Sequence, residues 1–147
     1  MIWIKRTFDF TCSFFGLVAL SWLIIILWFI ATLETKSNGF FIQKRVGRNG
    51  KLFKLYKIKT MIQVSGINTT ITTINDKRIT RIGSFLRKTK LDELPTLWNV
   101  LIGDMSLVGP RPDVPGYTDK LTGNDRKILK LRPGITGPAT LKYSNEE

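Results

Sequence analysis

From Phe10 to Leu33 the chain carries no charged residue, and the stretch from Phe14 to Ile30 is almost wholly apolar. Lys5, Arg6 and Asp9 bound it on one side, and Glu34 and Lys36 on the other. A bilayer core about 30 Å thick is crossed by roughly 20 helical residues, so the pattern predicts a membrane-embedded helix. It is too long for the core of a signal peptide, and no small-residue cleavage pattern follows it, so the segment reads as retained. Two arrangements fit. Hydropathy alone suits a spanning anchor. Yet basic residues flank both ends, with Lys5 and Arg6 before and Lys36, Lys44, Arg45 and Arg48 after, whereas a spanning helix concentrates them on one side. A re-entrant helix broken at the central Ser21-Trp22 would keep both basic ends in the cytoplasm, since Ser can bond back to a helical carbonyl and bend the helix.

Beyond the apolar run the periodicity changes. Phe40 to Val46 and Lys51 to Ile58 flank Gly47-Arg48-Asn49-Gly50, and Asn-Gly between two such arms predicts a β-hairpin. Its second arm interleaves cations with apolar residues, as a solvated strand face does and as a phosphate contact also would. Residues 62–75 are uncharged and rich in Thr and Asn, and read as a loop or marginal strand. Asp76 to Lys90 places Ile79, Ile82, Phe85 and Leu86 at helical spacing among six cations, predicting a basic amphipathic helix that suits lipid headgroups. Leu91, Leu94, Leu97, Trp98 and Leu101 form the apolar face of another helix. Two cues mark its start and differ by a few residues: Thr89 with Asp92 as a capping box, and Pro95 in a first turn. On either cue Asp92 and Glu93 lie near a helix N-terminus, which favours ionised carboxylates. Gly103-Asp104 ends this helix, and in Gly109-Pro110-Arg111-Pro112 two prolines hold the backbone around a cation. The stretch from Pro133 to Pro138 is turn-rich.

Composition narrows the chemistry. The 147 residues make one domain's worth of sequence, and their net charge of +12 lies wholly in residues 36–147, because residues 1–35 are neutral. A basic part following an apolar segment suits an anionic membrane face or a phosphate-rich substrate. Nucleic acid would satisfy the charge, but stacking aromatics among the cations are few outside the hairpin and no reader motif is present. There is no histidine, and Cys12 is the single cysteine, so His triads, His metal sites, disulfides and cysteine zinc sites are excluded. Carboxylates remain as agents of nucleophilic, acid-base or metal chemistry. Asp92-Glu93, with fixed cations at Arg87 and Arg111 beside a membrane segment, suits a site for a metal and a diphosphate.

These residues carry a resemblance. Lys5-Arg6-Thr7-Phe8-Asp9, Gln43-Lys44-Arg45-Val46-Gly47 and Tyr56-Lys57-Ile58-Lys59-Thr60-Met61 are followed by a block from Leu86 through Asp92-Glu93-Leu94-Pro95 to Gly109-Pro110-Arg111-Pro112, and by Arg132-Pro133-Gly134-Ile135-Thr136-Gly137. In this order, over nearly the whole chain, they resemble the bacterial sugar transferases, or small monotopic phosphoglycosyl transferases. The resemblance implies a bacterial inner-membrane enzyme with its catalytic domain on the cytoplasmic face, moving a sugar 1-phosphate from a UDP-sugar to polyprenyl phosphate with Mg²⁺. Asp92 would be nucleophile and metal ligand, with Glu93 completing a dyad. Arg87 and Arg111 are the phosphate-binding candidates, joined by Lys59, Arg45, Pro110 and Pro112. Membrane lipids are expected partners, and a homodimer is left open.

The expected fold is α+β. Residues 1–36 form a membrane-embedded, re-entrant helix-break-helix segment, and residues 37–147 a small, mainly helical cytoplasmic domain with a β-hairpin. The family's break falls at a Ser-Pro pair where this chain has Ser21-Trp22. The family chain also continues past the Gly-Ile-Thr-Gly turn, so the domain is expected to be truncated at its C-terminus. A non-catalytic alternative is a truncated or inactive relative serving as a basic membrane-surface binding module.

Overall fold

The computed structural model describes residues 2–62 and 76–137. The Thr- and Asn-rich stretch read as a loop or marginal strand falls, from residue 63 to 75, outside the described residues, as do residues 138–147. The elements are α1 (Ile2–Thr35), β1 (Phe40–Val46), β2 (Leu52–Ile58), α2 (Arg81–Lys88), α3 (Thr96–Ile102), β3 (Ser106–Val108) and β4 (Gly134–Thr136). Short 3₁₀ turns at Leu91–Glu93, Thr118–Lys120 and Asp125–Lys130 connect them. The fold is α+β, as expected, but beyond residue 36 it is not mainly helical: among the described residues α2 and α3 hold 15 residues against 20 in the four strands.

The hairpin forms where Asn-Gly predicted it. β1 and β2 pair antiparallel with Val46 opposite Leu52 and Phe40 opposite Ile58. Asn49 and Gly50 take positive φ values of 59° and 77°, a conformation that matches the right-handed strand twist and that Asn and Gly tolerate best. The second sheet is parallel and minimal, pairing Ser106 with Gly134 and Val108 with Thr136.

Three further sequence expectations are corrected. First, α1 is a single 34-residue helix, about 51 Å long at 1.5 Å per residue, with no break at Ser21-Trp22. Ser21 does bond back, its Oγ donating to the Val18 carbonyl at 3.0 Å, but the Trp22 backbone keeps its N–H, so the helical ladder continues where proline would interrupt it. Second, the basic helix covers Arg81–Lys88 and not Asp76–Lys90. Asp76 instead accepts the backbone N–H and guanidinium of Arg78, and the Thr80 hydroxyl caps the helix by accepting from Gly83 N at 2.9 Å. Third, no capping box joins Thr89 to Asp92. Thr89 ends α2, its hydroxyl donating back to the Phe85 and Leu86 carbonyls, and Lys90 turns the chain through a φ of 57°. Asp92 and Glu93 therefore lie in a 3₁₀ turn ahead of α3, not in its first turn.

Two apolar clusters hold the elements together. Leu27 and Ala31 of α1 meet Ile58 of β2 and Leu86 of α2, flanked by Leu23, Phe40, Leu91 and Leu94. Phe53 and Leu55 of β2 meet Val100 and Met105 around α3. Asn99 is fully buried between them and crosses from α3 to β2, its Nδ2 donating to the Lys54 carbonyl at 2.7 Å and its Oδ1 accepting from Tyr56 N at 3.2 Å. A buried amide with both ends satisfied locks the strand against the helix.

α1 runs along these clusters. Arg6 reaches the C-terminal carbonyls of α3, Gly16 packs beside Leu97, Leu27 and Ala31 enter the first cluster, and Glu34 accepts from Ile82 N at 3.2 Å. Its other sides expose Phe8, Phe15, Trp22, Ile25, Phe29 and Leu33.

Candidate active site

The strand pattern of β2 sets the site. Phe53, Leu55 and Lys57 point to one side by period-two alternation, and the first two are buried against α3. Lys57 continues that row into the turn that carries the acidic pair, where its Nζ donates to Glu93 Oε1 at 2.6 Å. Both side chains are about a quarter exposed, at 23% each, so the pair is partly desolvated and firmer than a surface salt bridge.

Asp92 beside it is 8% exposed, and its Oδ1 is buried without a hydrogen-bond partner. Burial pushes this carboxyl up from 3.8 to about 6; Lys57 pulls it back down, the neighbouring Glu93 charge raises it, and Arg87 and Lys90 lower it. A solitary buried acceptor with cations around it is costly to the fold and matches the environment expected of a reactive carboxylate. Arg87 is held by Thr60, its Nε donating to the buried Thr60 Oγ1 at 3.0 Å while Nη2 lies 3.2 Å from Met61 Sδ.

Asp92, Glu93 and Arg87 thus lie near one another, with Lys57, which the sequence reading left out, among them. Its signal was present: a cation at the next inward position of a row whose preceding members are Phe53 and Leu55. Lys59, which was proposed instead, donates to Ser37 Oγ at 2.7 Å in the turn between α1 and β1.

Arg45, Arg111, Pro110 and Pro112 form a second group. Arg45 Nη1 donates to the Pro112 carbonyl at 3.1 Å, and its Nε is buried without a partner. Burial and the adjacent Arg111 charge both disfavour the Arg45 cation, and Asp113 offsets them in part. The Pro110 carbonyl accepts from Gly134 N at 2.8 Å, and Arg111 lines a shallow cleft with Val46, Gly47, Pro110, Asp113 and Thr118. Arg45 pairs across the hairpin with Phe53, so it shares a face with Lys57 and lies about four residues along the strand from it, roughly 13 Å. Two cationic groups therefore border one face of the hairpin.

Among the described residues no group of three or more Asp, Glu, Cys or His side chains converges. Mg²⁺ does not require one, because it is commonly held by one or two carboxylates with substrate phosphates supplying further oxygens. The partnerless Oδ1 of Asp92 fits that role, while Glu93 is already engaged by Lys57.

The family model for bacterial sugar transferases matches residues 1–147. The chain belongs to that family. Its relatives within the family include the undecaprenyl-phosphate galactose phosphotransferase of Salmonella typhimurium, 42% identical over 150 residues that cover 91% of this chain and 31% of the relative. The galactosyl transferase CpsE of Streptococcus agalactiae serotype III is 39% identical, with 90% of this chain and 32% of the relative covered. The exopolysaccharide production protein PSS of Rhizobium leguminosarum is 38% identical, with 95% and 74% covered. The chain thus spans about a third of the first two family members and about three quarters of the third.

Proposed function

We propose that this chain transfers a sugar 1-phosphate from a UDP-sugar to polyprenyl phosphate, releasing UMP and forming a polyprenyl diphosphate sugar. The observation that carries the reading is Asp92: a buried carboxylate with an unpartnered oxygen, in a chain of the sugar transferase family, flanked by Lys57, Arg87 and Lys90. In the first step the Asp92 carboxylate oxygen bonds to the β-phosphorus, and the bond from that phosphorus to the α–β bridging oxygen breaks. UMP leaves, and the sugar phosphate stays on Asp92 as an acyl phosphate. In the second step an oxygen of polyprenyl phosphate bonds to the same phosphorus, the bond to Asp92 breaks, and the carboxylate is restored.

Lys57 holds Glu93 beside the reacting group, and Arg87, braced by Thr60, adds positive charge where phosphate oxygens gather. We assign Arg111 and Arg45 to a further phosphate contact of the bound substrates. Mg²⁺, held by Asp92, would supply charge neutralisation at the diphosphate. The test is UMP release from a UDP-sugar panel by the protein in polyprenyl phosphate-containing membranes with Mg²⁺. Asp92→Asn is expected to abolish it, and turnover surviving that substitution would refute the nucleophile assigned.

The same reading places the chain at the bacterial inner membrane with its catalytic part cytoplasmic. Crossing takes about 20 residues clear of the soluble part, whereas contacts with the domain recur along α1 from Arg6 to Glu34. This supports a helix lying in one leaflet by its outward Phe8, Phe15, Trp22, Ile25, Phe29 and Leu33, with both ends on one side. Tags at residues 1 and 147 should then be accessible from the cytoplasm alone; opposite accessibility would sink this topology.

A further inference from the structure

The charges at the start of α1 read from sequence as membrane flanks, but the structure engages them with the domain. Asp9 is 3% exposed in a helix whose other faces are apolar. Its Oδ2 accepts from the buried Ser106 Oγ at 2.7 Å, and its Oδ1 accepts from Leu107 N at 3.2 Å. Lys5 Nζ donates to Asp9 Oδ2 at 3.2 Å, to Ser106 Oγ, and to the Val108 carbonyl at 3.3 Å. One position along, Arg6 donates to the Val100 and Leu101 carbonyls at 2.6 and 2.7 Å at the C-terminal end of α3, where the Val100 carbonyl also accepts from Gly103 N at 3.1 Å.

These bonds converge on the segment that leads into the Arg111 loop. β3 has three residues and pairs on one side with β4, itself three residues. Such a strand is marginal alone. On its other side Leu107 N finds no strand, and the carboxylate of Asp9 takes the place of one. Val108 is then followed directly by Gly109-Pro110-Arg111-Pro112. Gly109 and Gly134 lie so close that a side chain on either would strike the other's backbone, so a shift of β3 is passed on to the loop.

We propose that Asp9 and Ser106, with Lys5 and Arg6, form a clasp that positions the Arg111 loop, which makes Asp9 a positioning residue for phosphate binding by Arg111. The assignment to phosphate binding rests on the function proposed above; the clasp itself does not. Asp9 is the better probe because its substitutions are graded. Asn keeps an acceptor for Leu107 N and can still hydrogen-bond the Ser106 hydroxyl, whereas Ala removes the acceptor of both, leaving Ser106 only the contact from Lys5.

The experiment compares the wild-type chain with Ser106→Ala, Asp9→Asn and Asp9→Ala, each full-length in nanodiscs, by amide hydrogen exchange and by UDP-sugar kinetics. Faster exchange is expected over residues 106–112, in the order Asp9→Ala, then Asp9→Asn and Ser106→Ala, with residues 52–58 at the wild-type rate. KM for the UDP-sugar should rise about tenfold in Ser106→Ala, with kcat within about twofold, since one misplaced phosphate contact is worth a factor of that order. Unchanged exchange over 106–112, or an increase spread equally over the hairpin with kcat and KM falling out together, overturns the clasp. Should Asp9→Ala not fold, the other two variants carry the comparison. Absence of UMP release by the wild type would remove the proposed reaction while the exchange data still decide the clasp.

Discussion

Replacing Asp92 by Asn is expected to stabilise the protein while abolishing the proposed transfer, because the buried carboxylate with an unpartnered oxygen is a cost to the fold. Burial raises the folded-state pKa from 3.8 to about 6. A shift of about 2 units corresponds to about 3 kcal/mol at 1.36 kcal/mol per unit. The sign follows from linkage. Because the folded pKa lies above the unfolded one, Asp92 imposes no penalty below about pH 4, a growing penalty between about pH 4 and 6, and the full amount above about pH 6. Asn has the same shape and does not titrate. The stability gap between Asp92→Asn and wild type should therefore be near zero at about pH 4 and approach 3 kcal/mol at about pH 8, on the order of 10 °C in Tm for a chain of this size. The assay is thermal or denaturant unfolding of both proteins in the same nanodiscs across that range, without Mg²⁺ or nucleotide. A gap that is absent at pH 8, or as large at pH 4 as at pH 8, would refute the claim that desolvation of Asp92 dominates the site.

Three further outcomes follow from the same geometry. The pH profile of kcat/KM for UMP release should rise as a single ionisation through about 6 and level off above it; a limb set by a group near 4 would remove Asp92 from the role. Lys57→Met should move that limb to higher pH and Glu93→Gln to lower pH, since the cation favours ionised Asp92 and the neighbouring carboxylate opposes it; shifts in one common direction would contradict the arrangement. Asn99→Ala should destabilise the protein by about 2–4 kcal/mol, as it strips partners from the Lys54 carbonyl and Tyr56 N, and Asn99→Asp should not rescue it because a carboxylate would face that carbonyl.

Much of the local structure was legible in the residues. An uncharged run can do little but form an apolar helix, Asn-Gly between two strand-like arms makes a hairpin, and the order of motifs from Lys5 to Gly137 identified the family. Asp92, Glu93 and Arg87 stood out for the same reason: each lies in a short, specific block readable without knowing what packs on it. Helix boundaries near residues 76–95 were less legible. Thr, Asp and Pro cues there compete within a few residues, and the pairing of Asp76 with Arg78 and the left-handed turn at Lys90 decided between them.

What the residues did not disclose depends on distant parts of the chain meeting. Lys57 and Glu93 are 36 residues apart, and Asp9 and Ser106 are 97 apart. Until α1 and α3 lie side by side, Lys5, Arg6 and Asp9 are indistinguishable from the ordinary charged border of a membrane segment. Likewise Lys57 and Lys59 are alike in type and setting, and what separates them is that one follows the buried row of β2 toward Glu93 while the other, just past the strand, turns to Ser37. Chain chemistry set which groups were available for catalysis, and packing chose which of them share a dry site, because desolvation and hydrogen-bond geometry are properties of neighbours in space.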